Sequence, residues 1–219
     1  MTRKIILIIS MLLACVYGDD FDDGVVSYHQ GDYDKSEQVF ENSCKSGNMR
    51  ACSSLGYLYV NNKKNPNLAI KYYNLSCLNG DYRACNNLGA IYANDQNTSY
   101  DMAKALFVQS CANGINGACA NLHTIYTVEC NLSNFTSCNE LGVLYEYGKG
   151  VVKHYVYATK LYQKACDGND GLGCSNLGAM FYKGFGVEKD INKAKEFFEK
   201  GCFLGNEIAC KNLQALDRT

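Results

Sequence analysis

The chain has no tryptophan and a single proline, Pro66, in 219 residues. Proline usually makes up about 5% of residues and costs about 3 kcal/mol inside a helix. Its scarcity fits a chain built mostly of helices and excludes collagen-like and proline-rich classes. Neither sign of charge dominates, since 21 Lys and Arg stand against 22 Asp and Glu. That balance argues against a nucleic-acid binder, whose affinity rests on neutralising phosphates. The N-terminal apolar run, Ile5 to Leu13, is too short to cross a bilayer, which takes about 20 residues. Disorder is excluded as well, because 47% of the residues are apolar.

Several chemistries lack their residues. There is no Ser-x-x-Lys, Ser-Asp-Asn or Lys-Thr-Gly, so a serine β-lactamase nucleophile has no motif to sit in. No Cys-x-x-Cys occurs, and His29, His123 and His154 are scattered, so neither zinc chemistry nor any other metal site is expected. No cofactor is expected either. Gly148-Lys149-Gly150 and Gly184-Phe185-Gly186 precede no Gly-Lys-Ser/Thr and read as turns in a recurring connector rather than phosphate cradles.

Arg3 and Lys4 followed by Ile5–Leu13 read as a signal peptide over residues 1–18, with Val16 and Gly18 small enough for cleavage before Asp19. Leu12-Leu13-Ala14-Cys15 also resembles a lipobox, which would make Cys15 a lipid anchor instead. Either way the product is secreted, periplasmic or anchored, and twelve of the 13 cysteines remain. An even count in an exported chain implies disulfides. The acidic run Asp19, Asp20, Asp22, Asp23 reads as a solvated new terminus. Asn97 lies in a glycosylation triplet with an acidic residue two before it, and Asn74, Asn131 and Asn134 open others.

The twelve cysteines fall in six pairs with seven residues inside each: Cys44/Cys52, Cys77/Cys85, Cys111/Cys119, Cys130/Cys138, Cys166/Cys174 and Cys202/Cys210. Before the first member comes one helical face, as in Ala69, Tyr72, Tyr73 before Cys77 and Ala158, Leu161, Tyr162 before Cys166. After the second comes Cys-x-x-Leu-Gly-x-x-aromatic, from Cys52, Cys85, Cys138 and Cys174. Between the two lies a Gly- and Asn-rich piece such as Ser46-Gly47-Asn48, suited to a left-handed residue that ends one helix. Two antiparallel helices joined this tightly bring their facing ends within disulfide reach, so each pair is expected to bridge itself. A loop of nine residues is worth about 2.6 kcal/mol per bridge in the chain-entropy model.

First cysteines are spaced 33, 34, 19, 36 and 36 residues apart, a solenoid period with one short interval. Between Cys111 and Cys130 there is room for one helix, and Ile125 and Tyr126 satisfy both helix templates. The expected organisation is therefore a single all-α domain over 19–219, an α-solenoid of about six disulfide-stapled hairpins, irregular at 118–138.

The Cys-x-x-Leu-Gly-x-x-Tyr helix resembles the tetratricopeptide helix with Cys in place of Trp, and Tyr182 to Asp190 resembles the connector of sel-one-like repeats. With the Cys spacing and the signal peptide, the chain resembles the Helicobacter cysteine-rich protein family from about Gly24 onward. Departures are the short fourth unit, His123 in place of Gly, and Gln214 and Asp217 in the last unit. The resemblance implies a secreted or periplasmic α-solenoid whose relatives bind penicillin-like compounds, some with weak β-lactamase activity. No residue here can be named as the nucleophile for such hydrolysis.

A column two residues after each second cysteine carries the functional signal: Ser54, Asn87, Asn121, Glu140, Asn176 and Asn212. In tetratricopeptide arrays the corresponding helix lines the concave groove, where an Asn amide can both donate to and accept from a ligand backbone. The same residues would also suit helix N-termini, where Asn satisfies free N–H groups. The expected partner is a peptide or protein, with a peptidoglycan fragment or β-lactam as further options, bound by a monomer without nucleic acid or a transmembrane span.

Overall fold

The computed structural model describes residues 20–94 and 100–218. The signal segment with Cys15 and the triplet at Asn97 lie outside the described residues. Among the described residues the regular elements are twelve helices, and the chain divides into two compact units, one up to Leu106 and one from Phe107. The N-terminal unit holds α1 (Asp20–His29), α2 (Tyr33–Lys45), α3 (Met49–Asn61), α4 (Pro66–Leu78) and α5 (Tyr82–Asn94). The division falls within α6 (Tyr100–Ala112). The C-terminal unit continues with α7 (Asn116–Asn131), α8 (Phe135–Tyr147), α9 (Tyr155–Asp167), α10 (Gly171–Lys183), α11 (Ile191–Phe203) and α12 (Glu207–Leu216). Helices α1–α5 and α7–α12 pack against their neighbours in sequence, the hairpin stacking of an all-α solenoid.

One turn design serves every Cys pair. In the first, Gly47 takes the left-handed conformation (φ 99°), and the N–H of Asn48 closes back on the carbonyl of Ser43 at 3.1 Å, a Schellman closure. Asn48 is also the N-cap of α3, its side chain accepting from the N–H groups of Arg50 and Ala51. A single residue thus ends one helix and starts the next. The same closure recurs at Asp81, Ile115, Asn134, Asp170 and Asn206, with Ser133 and Asn169 taking the left-handed place of Gly in two of them. Helices joined this closely have little freedom at the corner, and all six expected bridges form there, with Cα–Cα separations of 4.4–4.8 Å.

The six staples are not equivalent in burial. Cys210 pairs with Cys202 as expected, at a Cα–Cα separation of 4.6 Å, but both are half-buried, whereas the other ten bridged cysteines are buried. The reason is position. Among the described residues no helix follows α12 to cover Cys210.

The Leu-Gly pattern has a packing reason. A β-carbon placed on Gly56 would lie 2.6 Å from the Tyr73 ring, on Gly142 2.6 Å from Tyr162, and on Gly178 2.8 Å from Phe198. Each second helix is therefore in contact, through its bare backbone, with the ring four residues before the next first cysteine. Gly24 meets the Phe40 ring in the same way, at 2.6 Å, so α1 is a half-repeat without a cysteine. Of the acidic run, Asp22 and Asp23 are exposed, as expected of a solvated segment, and stand in the first turn of α1, where negative charge favours the helix N-terminus.

Between Cys119 and Cys130 runs one helix, α7, with Leu122, Ile125 and Tyr126 buried. Gly150, in the connector after α8, abuts the backbone of α7 at Cys119 and Ala120; Gly186, one repeat later, abuts α9 at Tyr155 and Val156. Cys119 and Tyr155 each lie eleven residues before the next first cysteine. So α7 offers α8 the surface that α9 offers α10.

Candidate binding groove

The second helices of the hairpins carry the column. Each member lies two residues past its cysteine and six past the N-cap, in the second helical turn. The capping role considered for these side chains is corrected on five of the six helices, whose N–H groups are capped upstream by Asn48, Asp81, Asn134, Asp170 and Asn206; α7, which follows Ile115, has no side-chain cap there. All six column residues are half-buried.

In the N-terminal unit, Ser54 and Asn87 stand in the walls of two equivalent cavities. The first, about 270 Å³, has Val25, Tyr28 and His29 of α1 on one side, the Phe40 ring as floor, and Ser54 and Tyr57 of α3 opposite. The second, about 250 Å³, has Tyr57, Val60 and Asn61 of α3 on one side, the Tyr73 ring as floor, and Asn87, Ala90, Ile91 and Asn94 of α5 opposite. Counting from the second cysteine, or from the matching place on α1, one wall is built from positions +5, +8 and +9 and the other from +2 and +5, joined by +6 and +9 in the second cavity. The floor is the ring that presses on glycine. Glycine packing and cavity are therefore two consequences of one contact: the close approach seats the ring low, between two second helices. Tyr57 is half-exposed and belongs to both cavities, which makes them one groove. Burial pushes the Tyr73 pKa up to about 12, a rise that Asn87 opposes.

The C-terminal unit repeats the register with different contents. A cavity of about 380 Å³ lies between α10 (Ala179, Tyr182, Lys183) and α12 (Asn212, Ala215, Leu216) over the Phe198 ring. At the preceding α8–α10 step, Glu146 at +8 accepts the Tyr162 hydroxyl at 2.6 Å, so a carboxylate sits over the floor ring. Burial first, then Glu146, raises the Tyr162 pKa well above the ordinary phenol value. Asn176 donates to Asn139 at 2.7 Å and Asn139 to Glu140 at 3.2 Å, tying two column residues together. Asn121 is half-buried on α7, and His123 beside it hydrogen-bonds Tyr145 at 2.9 Å.

Burial raises the phenols of Tyr73, Tyr126 and Tyr162, so they stay protonated at neutral pH. Among the described residues no group of three or more His, Cys, Asp or Glu could hold a metal ion. Sequence reasoning found the column but not the cavities, since it did not connect the glycine with the ring packed on it. The recurring Gly and aromatic positions were the available signal.

Four Sel1 repeats match the chain, at residues 50–81, 83–114, 136–170 and 171–206. The chain belongs to the Sel1-repeat family. The last match ends before Cys210, so the sixth bridge joins a matched repeat to the helix beyond it. The chain is similar to Helicobacter pylori cysteine rich protein B, with 31% identity over 71% of this chain and 99% of that one and a TM-score of 0.38. A protective antigen of uropathogenic Escherichia coli is 24% identical over 89% of this chain, with a TM-score of 0.46; this chain spans 47% of its length. A Sel1 repeat protein of Oxalobacter formigenes is 20% identical over 90% of this chain and 87% of its own, with a TM-score of 0.45. No curated protein matches the chain. Sel1 repeats are typical of protein-interaction scaffolds. Six disulfides point to an oxidising compartment, extracellular or periplasmic. No helix among the described residues is long and apolar enough to cross a membrane.

Proposed function

We propose that the protein is exported and acts as a binding scaffold whose N-terminal unit takes an extended peptide or protein segment along the groove through Tyr57. The observation that carries this reading is the repetition of one cavity per second helix, each with a column residue in its wall and an aromatic floor. An extended chain has alternating side chains to fill such cavities and a backbone to meet Ser54 and Asn87. The test is binding of peptides by the disulfide-intact chain, read with Asn87→Ala. Affinity should fall severalfold while the melting temperature stays within about 2 °C, as for substitutions outside a packed core. Unchanged affinity would count against the groove. A muropeptide and a penicillin, added as competitors, show whether the same face takes a cell-wall fragment or a β-lactam; displacement by either would replace the peptide reading. Export is tested by N-terminal sequencing of the mature chain, expected to begin at Asp19, whereas lipid on Cys15 would mark the anchored form.

A further inference from the structure

A third cavity in the N-terminal unit, about 270 Å³, lies against the two apolar ones and shares Ser54 and Tyr57 with the first and Tyr57 and Asn87 with the second. Its character is different, because it is lined by both Arg50 and Arg83. These arginines occupy the same place in successive repeats, two before the second cysteine, in the first turns of α3 and α5. Arg50 rests over the Phe21 ring at 4.9 Å, and neither guanidinium is paired with a carboxylate among the described residues. The acid in the cavity, Asp81, already caps α5 through the N–H groups of Arg83 and Ala84 and takes the Ser76 hydroxyl at 3.2 Å. Two cations thus face one engaged carboxylate beside two helix N-termini, which add positive potential.

On the groove reading above, we infer that the N-terminal unit selects an acidic peptide: an Asp or Glu carboxylate held between Arg50 and Arg83, with apolar side chains on either side entering the cavities floored by Phe40 and Tyr73. Guanidinium groups match carboxylates in charge and planar geometry. The order apolar–acidic–apolar follows from the cationic cavity touching both of the others. The C-terminal unit has no such pair: the same place holds Gly117, Thr136, Leu172 and Ile208.

The test is a phage-displayed library of random dodecapeptides panned on the full, disulfide-intact chain. Enriched peptides should carry Asp or Glu with an apolar residue within two positions on each side. One of them, synthesised with its acid and with Gln in its place, should bind at least tenfold more tightly as the acid. The double variant Arg50→Gln with Arg83→Gln should lose that tenfold for the acid and leave the Gln peptide unchanged. Both side chains are exposed, and a melting curve checks the fold. Enrichment of neutral or basic peptides, or an acid preference that survives in the double variant, overturns the inference while leaving the groove. Failure to enrich any peptide overturns the groove reading and this one with it.

Discussion

In the N-terminal unit, Arg50 and Arg83 reach into the groove, and the cavities over Phe40 and Tyr73 are walled by Ser54, Tyr57 and Asn87. In the C-terminal unit, charge is turned toward the fold. Lys164 donates to the Cys130 carbonyl at 2.9 Å and Lys200 to the Cys166 carbonyl at 2.8 Å, each at the C-terminal end of the preceding first helix. Glu146 takes the Tyr162 hydroxyl, and Glu129 takes the Ser137 hydroxyl. Cations at helix C-termini and satisfied buried hydroxyls stabilise. Both units satisfy phenols internally, Tyr59 on Glu37 and Tyr72 on Glu41 in the N-terminal one; they differ in the arginine pair that lines a cavity of the N-terminal unit. The C-terminal unit also contains four of the six bridges, the N-terminal unit two.

Reduction should break this comparison most severely. At about 2.6 kcal/mol per bridge, loss of four bridges exceeds the loss of two by about 5 kcal/mol. Hydrogen exchange in excess reductant should show the C-terminal unit losing protection first; equal loss, or unchanged circular dichroism, would show that apolar packing alone suffices. Next comes Ile125→Asp, which buries an unpaired charge on α7 and should cost on the order of 4 kcal/mol. Because α7 carries its own bridge at each end and packs on α8, protection should fall on both; a loss confined to α7 would contradict its double use.

The glycine contact gives a prediction with opposite signs. Gly56→Ala puts a methyl group into the Tyr73 ring and should destabilise by about 1–3 kcal/mol. Gly117→Ala, on α7 with nothing within 4 Å, should instead stabilise by up to about 1 kcal/mol through helix propensity. Denaturant titration of the two variants decides, and a stable Gly56→Ala would remove the reason for the motif. The smallest effect appears only in alkali. Tyr73 in one unit and Tyr126 in the other have pKa values raised by burial to about 12. A phenol raised above its ordinary value contributes stability fully below pH 10, lost as pH rises toward 12. The melting temperature should hold up to pH 10 and fall between 10 and 12, less steeply in Tyr126→Phe.

Much of this architecture was legible in the residues, because cysteine spacing and the 3.6 period are local signals. They placed the helices, the self-bridged corners and the single helix between Cys119 and Cys130. Three features escaped. The half-repeat α1 carries no cysteine, so only Gly24 under Phe40 betrays it. The caps were hidden because Asn48, Asp81 and their equivalents read as turn residues, while the column residues looked like the caps. Arg50 and Arg83 are 33 residues apart in sequence and meet in one cavity only once the repeats stack. The partial exposure of Cys210 belongs with them, since identical spacing says nothing of which bridge a following hairpin covers. What long-range packing decides, a local pattern leaves open.

The central claim is that the N-terminal groove is the binding face. Hydrogen-exchange mass spectrometry of the disulfide-intact chain, with and without a peptide enriched from the library, tests it most directly. The account predicts added protection in segments 50–61 and 83–94, on α3 and α5, with the segments of α10 and α12 unchanged. Protection confined to α10 and α12 would contradict it.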